Sequence, residues 1–239
     1  MLYALNDKLK VKAEPNLSAS CPWCDADMIS KCGDVKIWHW AHKSNPCDTK
    51  PETEWHLQWK TCFPDECVEI KITHKDKYKI ADVQSPSGMV VEFQNSPISK
   101  EEIRDREHFY GVMSWVFNTS SAFEENRIVL DGERLLEWKN PKRSWLSTQR
   151  TVYLDLGVGV LFKVDGIEKG VDDYDHLMLY IKGKQIMKED FIELMLSKKI
   201  ECENNQCLFR CIFKNDIKEC PWHWPEGFYR LKMGKWTKQ

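Results

Sequence analysis

The sequence has no uninterrupted apolar run of about 18 residues, which excludes an ordinary bilayer-spanning helix. Its opening, MLYALNDKLKVK, lacks the apolar stretch and small-residue cleavage site of a secretory leader, so a cytoplasmic protein with no membrane partner is expected. An excess of charge of one sign is also missing. Lys and Arg number 35 against 37 Asp and Glu, a net charge of −2, so any contact with nucleic acid must be local rather than the work of a global positive field. Internal repeats, low-complexity tracts and Gly/Ser linkers are absent, which excludes solenoids and long flexible tethers. Cysteine is missing from the long middle: of ten cysteines, six lie from Cys21 to Cys67 and four from Cys202 to Cys220. The ends and the middle therefore obey different constraints. In an intracellular chain with a Cys-x2-Cys pair, metal ligation or buried thiols are expected rather than disulfides.

What is present supports a proper core, since 42% of the 239 residues are hydrophobic, enough for one large or two modest domains. The cysteine distribution and the element pattern divide the chain into a zinc-knuckle region over 1–48, an α/β body over 49–120 and an accessory region over 121–239. In the body, Pro51 suits the first turn of a helix running to Phe63. Three β-rich segments follow: VEIKIT (Val68 to Thr73), YKIADV (Tyr78 to Val83) and MVVEFQ (Met89 to Gln94). Ser99 with Glu102 three residues on is a capping box for a helix to about Tyr110, and SWVFNT (Ser114 to Thr119) returns as a strand. Antiparallel strands followed by a helical crossover predict a mixed β-sheet flanked by helices, an α/β architecture. Beyond the body, TVYLDL and GVLFKV around Gly157 to Gly159 predict a hairpin, and KEDFIELMLSKK a short amphipathic helix.

The chemistry concentrates between Ala81 and Gln94, ADVQSPSGMVVEFQ. Side chains alternate along a strand, so Glu92 and Gln94 share a face while Val91 and Phe93 turn to the core. The Ser85 to Gly88 reversal returns Asp82 toward them. Two carboxylates there make an oxygen-rich site for a hard divalent ion. On the preceding helix, at about 100° per residue, Glu52, His56 and Lys60 share one edge of the buried face beside Trp55, Trp59, Cys62 and Phe63. Glu54, Gln58 and Thr61 project the other way, so the wheel selects Glu52 over Glu54 as an inward acid. The alternative is an i, i+4 charge ladder on a solvated face.

Cys21-x2-Cys24 with His42 and Cys47 offers four ligands, 17 residues in the long loop and 4 in the short one, a structural zinc pattern. A closed four-ligand site leaves no open position for catalysis. His39 and Cys32 compete as ligands, and buried thiols with a core histidine are the bland alternative.

These residues carry a family resemblance. In order, CPWC (Cys21 to Cys24), HWAH (His39 to His42), Glu52-x3-His56-x3-Lys60, Ala81 to Val83, Glu92 to Gln94, NSPIS (Asn95 to Ser99), Arg106-x3-Tyr110 and the Trp115 strand resemble the CoiA-like competence proteins. That resemblance implies a restriction-endonuclease-like PD-(D/E)XK core and a deoxyribonuclease dependent on Mg2+ or Mn2+, with zinc as a structural ion. It implies Glu52, Asp82 and Glu92 as the acidic centre, Asp82 and Glu92 as ligands of the catalytic ion, and Gln94 where the wider superfamily has Lys. Lys60 or His56 then stands in for that lysine. Arg106, with Tyr110, is expected on the substrate side, the alternative being a helix Arg paired with Glu102 or Asp105. The implied partner is DNA, single-stranded or branched forms included, during uptake and recombination or in defence against foreign DNA. The rival is an inactive nuclease-fold module that binds nucleic acid or protein.

The resemblance stops near Phe117. In the remaining half, Cys202, Cys207, Cys211, Cys220 and His223 fit a second metal cluster only loosely, and their irregular spacing favours small buried hydrophobes. The aromatic and cationic run Pro221 to Lys232 suits base stacking or core packing. This half is expected to determine substrate shape, a protein partner or association with a second copy.

Overall fold

A computed structural model describes residues 1–44 and 52–197, and the backbone of two further strands, Tyr229–Lys232 and Lys235–Lys238. It is a mixed α/β structure, mostly sheet with few helices. None of the helices among the described residues is long and apolar enough to cross a membrane. The chain divides into two compact units, one of Met1–Gln84 with Phe93–Asn95, the other of Ser85–Glu92 with Ser96–Gln239.

The first unit opens with five antiparallel strands: β1 (Tyr3–Asn6), β2 (Leu9–Lys12), β3 (Ser18–Ser20), β4 (Asp27–Lys31) and β5 (His39–His42), ordered β2-β1-β3-β4-β5. Asp7 and Lys8 both have positive φ, 48° and 67°, the conformation that a two-residue hairpin needs to match strand twist. The sheet packs Ala4, Ala13, Cys21, Met28 and Trp40 into one small core. Trp40, too large for so small a core to satisfy by packing alone, donates its indole N–H to Val11 O at 3.1 Å. Helix α1 (Glu54–Lys60) follows, then a one-turn helix Asp65–Cys67 and the antiparallel pair β6 (Val68–His74) and β7 (Lys77–Gln84).

α1 begins later than the sequence pattern suggests. Pro51 lies outside the described residues. Thr53 takes an extended N-cap conformation (φ −80°, ψ 161°), and its hydroxyl bonds the His56 ring at 2.9 Å rather than a backbone N–H. Glu52 therefore sits in the extended segment ahead of the helix, not on its wheel. Its neighbour Glu54 accepts from Ile37 N at 3.2 Å and ties α1 to the end of the five-stranded sheet.

Strand β8 (Val90–Gln94) enters the second unit through its first three residues. After the Ser85 to Gly88 turn, closed by Gly88 N to Ser85 O at 2.8 Å, the second unit adds α2 (Lys100–Tyr110), β9 (Met113–Asn118), α3 (Ser120–Glu124), β10 (Ile128–Asp131) and β11 (Leu135–Lys139). It continues with β12 (Thr151–Asp155), β13 (Val160–Val171), β14 (Leu177–Met187) and α4 (Lys188–Leu196). Its strands run β10-β11-β14-β13-β12-β9-β8, with β12 parallel to β9 and the β10–β11, β11–β14, β14–β13 and β13–β12 pairs antiparallel. The Ser99 hydroxyl accepts from Glu102 N at 3.0 Å, the N-cap the sequence predicts. The expected hairpin after Thr151 is β12–β13, and the expected amphipathic helix is α4.

The core of this unit is aromatic: Trp115, Trp138, Trp145, Tyr153, Phe162 and Phe191 are fully buried, and Trp138 and Trp145 stack at 5.7 Å. Within it, Glu107 of α2 accepts from Trp115 Nε1 at 3.1 Å and from the backbone of Gln149 and Arg150 at 2.8 and 3.1 Å. One buried carboxylate thus pins the loop that leads into β12. The predicted cysteine cluster from Cys202 to Cys220 with His223, and the side chains of the Pro221 to Lys232 run, lie outside the described residues.

Candidate functional site

Among the described residues of the first unit, two clusters of chemistry-bearing side chains bear on the sequence reading. The first is at the β3–β4 turn. The knuckle closes on itself through Cys21 N to Ala26 O (2.8 Å) and Asp25 N to Cys21 O (3.0 Å), with Trp23 N aimed at Cys21 Sγ (3.5 Å). Antiparallel pairing of β4 with β5 sets His42 opposite Met28, one residue from the strand's start, and so brings the imidazole to the knuckle. The ligand atoms of Cys21, Cys24 and His42 all lie within 4.8 Å of one another, with Cys24 Sγ 3.5 Å from His42 Nε2. Two thiols and an imidazole are the donors zinc prefers, and the trio can hold such an ion. Burial pushes the Cys21 thiol up, so it ionises less readily until a cation draws off the proton. Of the competing ligands, His39 spends Nδ1 on Ile37 O at 2.8 Å, and Cys32 packs against the small core. Cys47 lies outside the described residues.

The second cluster surrounds Lys60, at the last turn of α1. Trp55, Trp59 and Phe63 pack around Phe93, with Trp59 stacked on it at 5.1 Å, and this seats the apolar face of α1. The same rotation turns Lys60 inward, where only 2% of it is exposed. Its ammonium pairs with Glu52, with Asp82 Oδ1 at 3.1 Å and with Glu69 Oε1 at 3.3 Å. The other oxygen of Glu52 lies 3.0 Å from the Met1 amine. Burial alone would lower the Lys60 pKa, but the Glu52, Asp82 and Glu69 carboxylates outweigh it and hold the ammonium well above its ordinary value. Burial would likewise raise Glu52, yet Lys60 and then the Met1 amine hold its carboxyl far below the carboxylate range.

Asp82 uses its second oxygen to accept from Phe93 N at 2.9 Å, while His56 Nε2 donates to Phe93 O at 2.7 Å. His56 Nδ1 meets the Thr53 hydroxyl, so both ring nitrogens are engaged. Phe93 is therefore held at both backbone groups and at its ring. Glu92 is 3% exposed, so β8 buries its acid as well as Val91 and Phe93, where strict alternation would leave one face open. Within the second unit Glu92 pairs with Arg106 Nη1 at 2.5 Å, and Arg106 Nη2 meets Glu102 at 3.1 Å. The Glu102 pair is the helix pairing that the sequence analysis gave as the alternative for Arg106. Tyr110 ends α2, edge-on to Phe109.

The structure brings Glu52, Lys60 and Asp82 together and places His56 beside them through Phe93. It adds Glu69, a residue of VEIKIT that the sequence pattern did not single out. Its signal is conformational: Glu69 has φ 51°, a left-handed backbone rare for this residue type.

Residues 7–50 match the family model of competence protein CoiA, N-terminal domain. Over these residues the N-terminal segment is similar to that domain. The match covers the five-stranded sheet from the β1–β2 turn onward, with the Cys21, Cys24 and His42 trio, and ends before α1. No curated protein and no solved structure matches the chain.

Proposed function

We propose that this CoiA-like chain is a metal-dependent deoxyribonuclease with a restriction-endonuclease-like PD-(D/E)XK core. It acts in the cytoplasm on DNA during competence-related uptake and recombination, or against foreign DNA. The observation that carries the reading is the Lys60 ammonium buried among Glu52, Asp82 and Glu69, because phosphodiester hydrolysis needs carboxylates for a hard cation and a fixed positive charge beside them. Asp82 would be a ligand of Mg2+ or Mn2+, with Glu52 supporting, and the resemblance implies Glu92 as the further acid of the pattern. When bound, such an ion polarises the scissile phosphate and acidifies the attacking water. Lys60 then supplies the charge that Gln94 cannot, and the Gln94 amide orients water or a phosphate oxygen. With both ring nitrogens engaged, His56 braces Phe93 rather than moving a proton. Arg106 and Tyr110 serve the substrate side, zinc on the knuckle stiffens the N-terminal sheet, and the C-terminal half provides for a protein partner or a second copy.

A second reading, a non-catalytic nucleic-acid-binding module, is favoured by one observation: Glu52, Asp82 and Glu92 each already face an internal cation. One experiment separates the two. Single-stranded, duplex and branched DNA, and RNA, are incubated with the protein and Mg2+ or Mn2+, with EDTA, and with Asp82→Ala. Cleavage that needs the metal and Asp82 supports the enzyme; binding without cleavage in every metal supports the module.

A further inference from the structure

Glu69 is a buried carboxylate that no step above uses. It lies on β6 where the register runs from Val68↔Val83 to Ile70↔Ala81, so it falls opposite Asp82. A regular strand would turn it away from its apolar neighbours Val68 and Ile70. Instead its φ of 51° swings the side chain inward, to 5% exposure. There Oε1 accepts from Leu2 N at 2.8 Å and lies 3.3 Å from Lys60 Nζ, while Oε2 accepts from Tyr3 N at 3.2 Å. A strained backbone persists where its surroundings over-determine it, and such strain collects at functional sites. The three bonds converge on one result: the carboxylate is clamped by Leu2 and Tyr3 at the start of β1 and presents a fixed negative charge to Lys60.

We infer that Glu69 is a positioning residue: it holds the Lys60 ammonium against Asp82, and so determines where the cation that replaces the superfamily lysine stands. The inference rests on the nuclease reading for its catalytic consequence and on geometry for the placement. Without Glu69, the flexible lysine stem is anchored by Glu52, on the extended segment before α1, and by Asp82, whose oxygens are shared with Phe93. Glu69→Gln keeps one oxygen, which serves the Leu2 N–H, removes the charge facing Lys60 and leaves the Tyr3 N–H facing the amide NH2.

The test uses the full chain labelled with 15N and reads the lysine ammonium signals by NMR, beside steady-state cleavage of DNA in Mn2+. The wild type should show a slowly exchanging ammonium resonance that disappears in Lys60→Met. Glu69→Gln should abolish its protection and lower kcat by about tenfold or more with KM within about twofold, the signature of an interaction felt in the transition state. A Lys60 resonance equally protected in Glu69→Gln overturns the positioning role, whatever the cleavage result. No slowly exchanging Lys60 signal in the wild type also overturns it, and this arm stands even where the variant fails to fold. Loss of protection in Glu69→Gln with no cleavage by the wild type supports the placement and overturns the nuclease reading instead.

Discussion

Replacing Lys60 by Met removes a buried positive charge while keeping the length and most of the volume of the side chain. Three carboxylates, Glu52, Asp82 and Glu69, then face one another with their common counter-ion gone. Removing one partner of a buried ionic cluster costs about 3–5 kcal/mol, because the remaining charges have already given up their hydration. With Lys60 2% exposed, solvent screening does little to reduce that figure. About 3 kcal/mol corresponds to an unfolding midpoint about 6–12 °C lower for a chain of this size. The assay is thermal and urea unfolding of the wild type, Lys60→Met, Glu69→Gln and the double variant. If the cost comes from orphaned charge, adding Glu69→Gln to Lys60→Met should recover about 1 kcal/mol or more, since an amide needs no counter-ion. A Lys60→Met protein within about 0.5 kcal/mol of the wild type, with no recovery in the double variant, would refute the reasoning.

Three further outcomes follow from other parts of the chain. Cys24→Ser should lower bound zinc from about one equivalent to a small fraction, measured by elemental analysis, and a chelator should lower the melting point of the wild type but not of the variant. Glu107→Ala orphans the indole of Trp115 and the backbone N–H groups of Gln149 and Arg150, and should cost about 2–4 kcal/mol in urea unfolding. The pH dependence has a definite sign: Glu52 has a folded pKa below its ordinary 4.5, so its stabilisation is full above that value and is lost as pH falls toward the folded value. Lys60, raised above its ordinary 10.5, contributes fully below that value and loses its contribution only as pH rises through the higher folded value. Glu52→Gln should therefore flatten the acid limb of stability against pH while leaving the neutral region flat; an unchanged acid limb contradicts the assignment.

Much of the body was legible because its side chains obey simple periods. β6, β7, β8, α2 and β9 fall within one or two residues of their expected spans, since β-branched runs, the SPSG turn and the Ser99 cap are all local signals. The N-terminal strands were not, being 3 to 5 residues long and stabilised by pairing and a small core rather than by alternation. Strands β10 and β11 escaped for a related reason, as β11 finds its partner β14 about 40 positions further along the sequence. At the acidic cluster, the spacing of His56 and Lys60 with Asp82 was readable, while two features were not. Thr53 bonds His56 and starts the helix after Glu52, and the left-handed Glu69 reverses the face on which a strand residue should lie. Both are exceptions to a local rule imposed by tertiary contacts, and both occur at the cluster that carries the proposed chemistry.

The most direct measurement is an anomalous-difference map from crystals of the full chain soaked in Mn2+. The nuclease account expects a peak about 2.0–2.6 Å from a carboxylate oxygen of Asp82, lost in Asp82→Asn. An Asp82 carboxylate still bound to Lys60 and Phe93, with no ion beside it at millimolar Mn2+, would contradict that account.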